Sequence, residues 1–188
     1  MTLRILLDVN VWVNSYLAAF RGRSSSAAQR LTASVIAGHC RTGDIDLVIS
    51  HLMLDTLEGV LARCGIEPDL AGAARDAVEA ATAGFPLGVL GGGVHAIRDP
   101  EDLGVLETAI AGEAHLLVTN NMRDFTPGPR AAIAATIMRL DQEGQPDVLS
   151  MAMPGVSHDL VITDVFAATA WLVDGHSPPQ GILSTFFP

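Results

Sequence analysis

Residues 3–10, Leu3-Arg4-Ile5-Leu6-Leu7-Asp8-Val9-Asn10, decide the fold of this chain. A short aliphatic run that ends in an acid is typical of a buried strand in a parallel sheet, since such strands are covered on both faces. An acid that closes a buried apolar strand is costly unless it has a partner. Asp8 is therefore the first candidate site residue.

Strands and helices alternate along the rest of the chain. The pattern predicts strands at 46–50, 115–119 and 160–163, and helices at 10–20, 27–41, 52–65, 68–83, 102–112 and 164–173. The last helix carries an apolar stripe at Phe166, Ala170 and Val173. This order predicts a three-layer α/β/α sandwich with a mainly parallel central sheet, in which ligands bind beyond the carboxyl ends of the strands.

The length of 188 residues fits a single domain over residues 1–188. Residues 131–140 are a predicted helix, residues 141–158 are rich in Gly, Pro and Met, and we interpret 126–157 as an insertion. The tail 177–188 is rich in proline but ends in Phe186-Phe187, which predicts that it docks on another surface, of this protein or of a partner.

Composition restricts the compartment and the partners. No apolar run approaches the roughly 20 residues of a membrane-spanning helix, and the N-terminal run is too short for a signal peptide, so a cytoplasmic protein without a membrane partner is expected. Cys40 and Cys64 lack the spacing of a zinc or redox motif and are predicted to be buried free thiols. The net charge of −10 works against a broad electrostatic grip on a polyanion.

Acidic residues stand at four places along the chain. They are Asp8, Glu58 inside the predicted helix 52–65, Asp99 with Asp102 in Asp-Pro-Glu-Asp, and Asp124 in Thr-Asn-Asn-Met-Arg-Asp-Phe. Carboxylates repel one another, so a pocket that gathers several of them favours a hard divalent cation such as Mg²⁺ or Mn²⁺. Asp8 and Asp124 follow predicted strands and would face one crevice, whereas Asp99 and Asp102 would reach it only through a tight loop.

Taken in order, these motifs resemble the PIN-domain nucleases. The resemblance covers residues 3–125 and, weakly, 160–173, and it implies a metal-dependent ribonuclease with core acids Asp8, Glu58, Asp102 and Asp124 and the additional acid Asp99. In that scheme Asp8, Asp102, Asp124 and Asp99 hold Mg²⁺ or Mn²⁺. Glu58 completes the site through a water molecule or acts as a general base, and Asn10, Thr119 and Asn121 orient the ligands.

Two departures from the family pattern stand out. The family often has an acid at the position of Asn121, which places more weight on Asp124, and residues 126–157 exceed the usual connection. Arg21, Arg23 and Arg123 are candidate phosphate contacts in a chain whose eleven basic residues are all arginine. A genomic compositional bias, or an ordinary surface position for Arg123, explains the same observations.

Three functional hypotheses remain open at this stage. The first is an endoribonuclease of the toxin type that cleaves single-stranded RNA, with an antitoxin protein as partner and a homodimer as the assembly. The second is another magnesium phosphohydrolase with Asp8 as nucleophile, although the acid expected two residues later is Asn10 and no lysine is present. The third is a binding module that kept the fold without the chemistry.

Overall fold

Seven strands and six α-helices make up the part of the chain that the computed structural model describes, residues 2–82, 86, 100–125, 135–140, 146–153 and 156–187. The strands are β1 (Leu3–Leu7), β2 (His39–Cys40), β3 (Gly43–Leu47), β4 (Leu116–Val118), β5 (Ala135–Leu140), β6 (Pro146–Ala152) and β7 (Asp159–Thr163). The helices are α1 (Val9–Phe20), α2 (Ala27–Ile36), α3 (His51–Arg63), α4 (Pro68–Ala80), α5 (Pro100–Ala111) and α6 (Val165–Thr169), and a π-helical turn, Ala170–Asp174, continues α6. None of these helices has the length and apolar character needed to cross a membrane.

One sheet joins the strands in the order β2-β3-β1-β4-β7-β6-β5. The four central strands β3, β1, β4 and β7 are parallel, and the outer pairings are antiparallel. Because crossovers between parallel strands are right-handed, the connection β1 to β3 and the return from β3 to β4 place their helices on opposite faces. The predicted three-layer α/β/α sandwich with a mainly parallel sheet is confirmed.

The centre of the sheet is apolar on both faces, as a parallel sheet covered by helices requires. Ile5, Leu6 and Leu7 of β1 are fully buried, and so is every residue of β4. Leu7 pairs with Val118, and Val118 pairs with Thr163, so β1, β4 and β7 end at the same level. The residues that follow these three strands therefore meet at one edge of the sheet.

Polar caps mark the starts of three helices. The Ser50 hydroxyl accepts a hydrogen bond from the Met53 N–H (3.3 Å) and caps α3, a role that the sequence predicts for the serine just before the helix at 52–65. Asp164, which the sequence predicts as a cap or a solvent-facing residue, caps α6 by accepting the Ala167 N–H at 2.7 Å. Ser26 and Gln29 form a reciprocal capping box at the start of α2.

The helix predicted over residues 131–140 is wrong where the structure describes it, because Ala135–Leu140 is strand β5. The alanine-rich segment suggested a helix, but antiparallel pairing with β6 overrides that local preference. Residues 146–152, for which no strand was predicted, form β6, which also pairs with β7. The segment predicted as an insertion thus supplies a hairpin that extends the sheet beyond β7.

Other element boundaries also differ from prediction. The helix predicted to reach residue 41 ends at Ile36, because Gly38 turns the chain at a positive φ of 72° and strand β2 follows. The strand predicted at 46–50 runs from Gly43 to Leu47. Both cysteines are free, but Cys64 is exposed and Cys40 only partly buried, so the prediction of buried thiols is wrong. The glycine run at 91–93 lies outside the described residues.

The C-terminal tail packs at the start of β4, on this protein itself. Phe186 is buried and meets the ring of His115 edge-on, with 4.8 Å between ring centroids. His115 also stacks on His158 at 4.0 Å and accepts a hydrogen bond from the Arg4 N–H at its Nδ1 atom (3.1 Å). Burial, with His158 and Arg4 nearby, lowers the pKa of His115 to about 4, so this ring is neutral at pH 7.

The apolar stripe predicted for the last helix is only partly right. Phe166 is 73% exposed, whereas its neighbours Val165, Ala167 and Ala168 are buried. The Asp164 cap sets the first turn of α6, and it directs the small residues rather than the aromatic ring towards the core. An aromatic side chain is thus left at the surface beside the carboxyl ends of the strands.

Replacement of Gly112 by alanine should destabilise the protein. A Cβ at Gly112 would lie 2.2 Å from Cγ1 of the buried Val48, so the end of α5 or the end of β3 must shift. Overpacking of this kind costs about 1–3 kcal/mol. Gly59→Ala inside α3 is the matched control, since its Cβ meets only the end of Arg63 at 3.6 Å.

Urea unfolding measures both variants. Gly59→Ala is expected to raise the free energy of unfolding by about 0.5–1 kcal/mol, as alanine does in helix interiors. Equal stability of Gly112→Ala and wild type would contradict the close packing of α5 on Val48.

Candidate metal centre at the carboxyl edge of the sheet

Asp8 ends β1 and begins α1 at the point where β1 meets β4. Its N–H donates to the Val118 carbonyl oxygen at 2.9 Å, which ties the two strand ends together. The side chain is only 5% exposed. Since the chain leaves β1 towards β3 and leaves β4 towards β7, the crevice between β1 and β4 is the topological switch point of the sheet.

Two neutral side chains hold the Asp8 carboxylate. The Thr119 hydroxyl donates to Oδ2 at 2.7 Å, and the Asn10 side-chain amide donates to the same oxygen at 2.5 Å. The Asn10 amide also reaches the Thr119 hydroxyl oxygen at 3.2 Å. The structure thus brings together three residues that the sequence predicted for the site.

The environment of Asp8 opposes its negative charge. Burial raises the pKa of Asp8 above its ordinary value, while hydrogen bonds from the Thr119 hydroxyl, from the Asn10 and Val9 backbone N–H groups and from the Asn10 side-chain amide act in the opposite direction. No cationic side chain is among these influences. A buried carboxylate that has only neutral donors is stabilised strongly by any cation that reaches it.

The hydrogen bonds continue from Asp8 towards Asp124. The Asn121 N–H donates to the Thr119 hydroxyl oxygen at 3.0 Å, and the Asn121 side-chain amide donates to Oδ2 of Asp124. Asn120, which the sequence did not single out, donates to Oδ1 of Asn10 from its N–H at 3.1 Å. The β4–α1 edge is therefore one connected polar network with a carboxylate at each end.

A pocket of about 570 Å³ opens beside Asp8, a size typical of ligand sites. The first turns of α1, α3 and α5 line it. Asp102 lines the same pocket as Asp8, so the structure brings these two predicted acids together. The full lining is Asp8, Val9, Asn10, Val13, Asn14, Ser50, Leu52, Met53, Thr56, Val60, Asp102, Leu103, Gly104, Val105 and Glu107.

Glu58 lies on another face of α3. Two residues turn an α-helix by about 200°, so Thr56 and Val60 line the pocket while Glu58 faces α4. There its carboxylate lies 3.7 Å from Nε of Arg75. The structure does not bring Glu58 to the pocket, and its predicted role in the site stays a prediction that mutation can test.

Sequence reasoning missed the polar residues Thr56, Glu107, Asn14 and Ser50 of the pocket. The spacing along a helix could have identified two of them, because residues four apart lie on the same face. Asn14 follows Asn10 by four residues, and Thr56 follows Leu52 by four. Glu107 lies about one and a half turns beyond Asp102 on α5. Thr108, next to Glu107, donates to the Ser50 hydroxyl oxygen at 3.3 Å and joins α5 to the start of α3.

The remaining predicted residues are placed less directly. Asp99 lies outside the described residues. Arg21, Arg23 and Arg123 are exposed, as phosphate contacts and ordinary surface arginines both require. Arg123 is adjacent to Asp124 in the chain, whereas Arg21 and Arg23 follow the C-terminal end of α1.

The donor chemistry of the site fits a hard divalent cation. The pocket and its network offer carboxylate, amide and hydroxyl oxygens, without a thiolate or an imidazole among the described lining residues. Within the described ranges, no three His, Cys, Asp or Glu side chains are close enough together to hold an ion by themselves. The fit therefore rests on Asp8 with its neutral partners and on Asp102 across the pocket.

Fold and site together define a three-layer α/β protein with an acidic centre at the carboxyl edge of a parallel sheet, the arrangement of a nuclease-type domain. The family model of the PIN domain matches residues 4–123. The chain therefore belongs to the PIN-domain family, whose members are in general metal-dependent nucleases. No curated protein and no solved structure gives a significant match to the chain.

Proposed function

We propose that this protein is a metal-dependent endoribonuclease that cleaves phosphodiester bonds of single-stranded RNA. The observation that carries the proposal is the buried Asp8 carboxylate, whose partners among the described residues are neutral and which lines a pocket shared with Asp102. This arrangement favours a bound cation, and the PIN family supports nuclease chemistry.

Asp8, Asp102 and Asp124 are the proposed ligands of Mg²⁺ or Mn²⁺, with Asp99 as a further ligand. When bound, the ion supplies a water molecule of lowered pKa and offsets the charge of the phosphate. Thr119 and Asn10 fix the orientation of Asp8, and Asn121 does the same for Asp124. Such outer partners typically set ligand geometry and ion affinity.

The charge balance of the protein supports the need for an ion. At a net charge of −10, a polyanion is repelled unless the acidic pocket is neutralised. Arg123, Arg21 and Arg23 are the proposed phosphate contacts, since guanidinium groups bind phosphate oxygens in pairs. Their exposure leaves them available to a strand that crosses the edge of the sheet.

A toxin role with a protein antitoxin is the finer proposal. The pocket is lined by apolar residues of α1, α3 and α5 around two or more carboxylates. An amphipathic segment with a basic residue would match this lining and would keep the ion or the RNA out. We also propose a homodimer, because large apolar side chains such as Leu52 and Leu70 are exposed.

The proposal is tested by incubating purified protein with single-stranded RNA and, separately, with duplex RNA and single-stranded DNA. Cleavage of the single-stranded RNA in Mg²⁺ or Mn²⁺, abolished by EDTA, is the expected result. A phosphate monoester serves as the control for a general phosphohydrolase. Folded protein that neither cleaves RNA nor binds the ions by calorimetry would instead support a binding module.

Replacement of Asp102 is expected to reduce cleavage far more than replacement of Glu58. Asp102→Asn removes a carboxylate that lines the pocket, and a loss beyond about tenfold in kcat/KM is expected. Glu58→Gln removes only a surface ion pair with Arg75, worth at most about 1 kcal/mol of stability. A similar loss of activity in both variants would indicate that Glu58 takes part in the site.

A further inference from the structure

Phe166 is an aromatic residue that the core does not use. It is 73% exposed, although the residues before and after it are buried. A single exposed apolar side chain is common in proteins, so exposure alone does not make a site. The position of Phe166 relative to Asp8 makes it a candidate binding residue.

The register of the sheet places Phe166 beside the acidic centre. Because Leu7, Val118 and Thr163 are level across β1, β4 and β7, the next residues Asp8, Thr119 and Asp164 share one edge. Adjacent strands are about 4.8 Å apart, so Asp164 lies about 10 Å from Asp8. Phe166 follows Asp164 by two residues, in the first turn of α6.

A basic residue precedes the helix that packs against α6. The Thr169 hydroxyl donates to the Ala27 carbonyl oxygen at 3.1 Å, which brings the start of α2 against α6. The loop before α2 is held by Gln29, whose side-chain amide donates to the Arg23 carbonyl oxygen at 2.8 Å. Arg23 is exposed, in the loop that leads into the helix packed against α6.

We propose that Phe166 stacks on a base of the single-stranded RNA that is cut at the Asp8 centre, and that Arg23 contacts the adjoining backbone. An aromatic face combined with a nearby cation is the usual means of holding single strands. Stacked nucleotides are about 3.4 Å apart along a strand, so the stacked base lies within about three nucleotides of the scissile phosphate. This inference rests on the proposed ribonuclease function.

The test measures the affinity for short single-stranded RNA of random sequence by fluorescence anisotropy, with Asp8 intact and with Ca²⁺ in place of the catalytic ion so that the pocket stays neutralised. Phe166→Ala is expected to raise the Kd by about 5- to 150-fold, and Phe166→Trp should retain the parental affinity. Ile36→Ala is the control, because Ile36 is also an exposed apolar side chain (42%) and lies at the C-terminal end of α2, outside the pocket. Its affinity should equal that of the parent.

In cleavage assays with Asp8 intact, Phe166→Ala should raise KM more than it lowers kcat. An abasic nucleotide at the stacked position should weaken binding to protein with Phe166 but not to Phe166→Ala. Unchanged affinity and KM in Phe166→Ala, with wild type cleaving normally, overturn the inference alone. The inference is also overturned if Phe166→Ala changes only the molecular mass of the protein in solution, measured by light scattering, because Phe166 would then belong to a protein interface. Absence of RNA binding and cleavage in wild type overturns this inference and the proposed function together.

Discussion

Asp8→Asn is expected to abolish metal-dependent RNA cleavage while the fold stays intact. Asparagine has nearly the same shape as aspartate and still accepts the hydrogen bond from the Thr119 hydroxyl. It lacks the charge that attracts the cation. Replacement of outer partners of an ion typically costs about 10- to 100-fold, so loss of this direct ligand should cost more than 100-fold.

The stability of this variant distinguishes a site residue from a structural one. Burial raises the pKa of Asp8, which means that the ionised carboxylate opposes folding when no cation is bound. In EDTA, Asp8→Asn should therefore unfold at the same temperature as wild type or at a higher one. Mn²⁺ should raise the unfolding temperature of wild type but not of Asp8→Asn, because only a ligand of the native state stabilises it.

Asp55→Asn is the control for the change in net charge. Asp55 is exposed on α3 and lies 3.5 Å from Nε of Arg75, away from the pocket. It should keep wild-type cleavage and the wild-type response to Mn²⁺. Retained cleavage in Asp8→Asn, or a large loss of stability in EDTA, would mean that Asp8 serves the fold rather than an ion.

Thr119→Val is expected to have the second-largest effect, on activity and stability together. The buried Thr119 hydroxyl donates to Asp8 and accepts from Asn10 and from the Asn121 N–H. Valine conserves the shape but leaves the Asn121 N–H without this acceptor, at a cost of about 1–3 kcal/mol in the free energy of unfolding. Misorientation of Asp8 should lower kcat/KM by about 10- to 100-fold.

Thr119→Ser is the matched rescue variant, because serine keeps the hydroxyl and loses only a methyl group. It should recover most of the cleavage rate and of the Mn²⁺ affinity measured by calorimetry. Its loss of stability should be about 0.5–1.5 kcal/mol, as for deletion of one buried methyl. Equal activity of the serine and valine variants would show that the hydroxyl has no part in positioning Asp8.

The sequence predicted the parts of the fold that local patterns encode. The aliphatic runs of β1, β4 and β7 and the serine before α3 identified the parallel core, because buried strands and helix caps have strong local signatures. The β5–β6 hairpin was missed, because no local sequence pattern marks these residues as strands. Pairing with each other and with β7 makes them strands.

Candidate residues that follow strands could be placed at one edge of the sheet from the sequence, whereas the direction in which a residue on a helix faces could not. Asp8, Asn10 and Thr119 come together because register fixes the ends of adjacent strands. Glu58 was chosen by order along the chain, but helical phase decides which side of α3 faces the pocket, and that side presents Thr56. Phe166 was assigned to the core from the spacing of apolar residues alone. That spacing does not include the Asp164 cap, which sets the rotation of α6.

The order of the central strands has a consequence for folding during synthesis on the ribosome. β1, β4 and β7 lie side by side, yet they come from the start, the middle and nearly the end of the chain. The Asp8 N–H needs the Val118 carbonyl, and the Thr119 N–H needs the Thr163 carbonyl. Contacts of such long sequence separation form slowly and only after the last segment has left the ribosome. With the proposed function, we therefore expect the nascent chain to be inert towards RNA, including the message being translated, until β7 has left the ribosome.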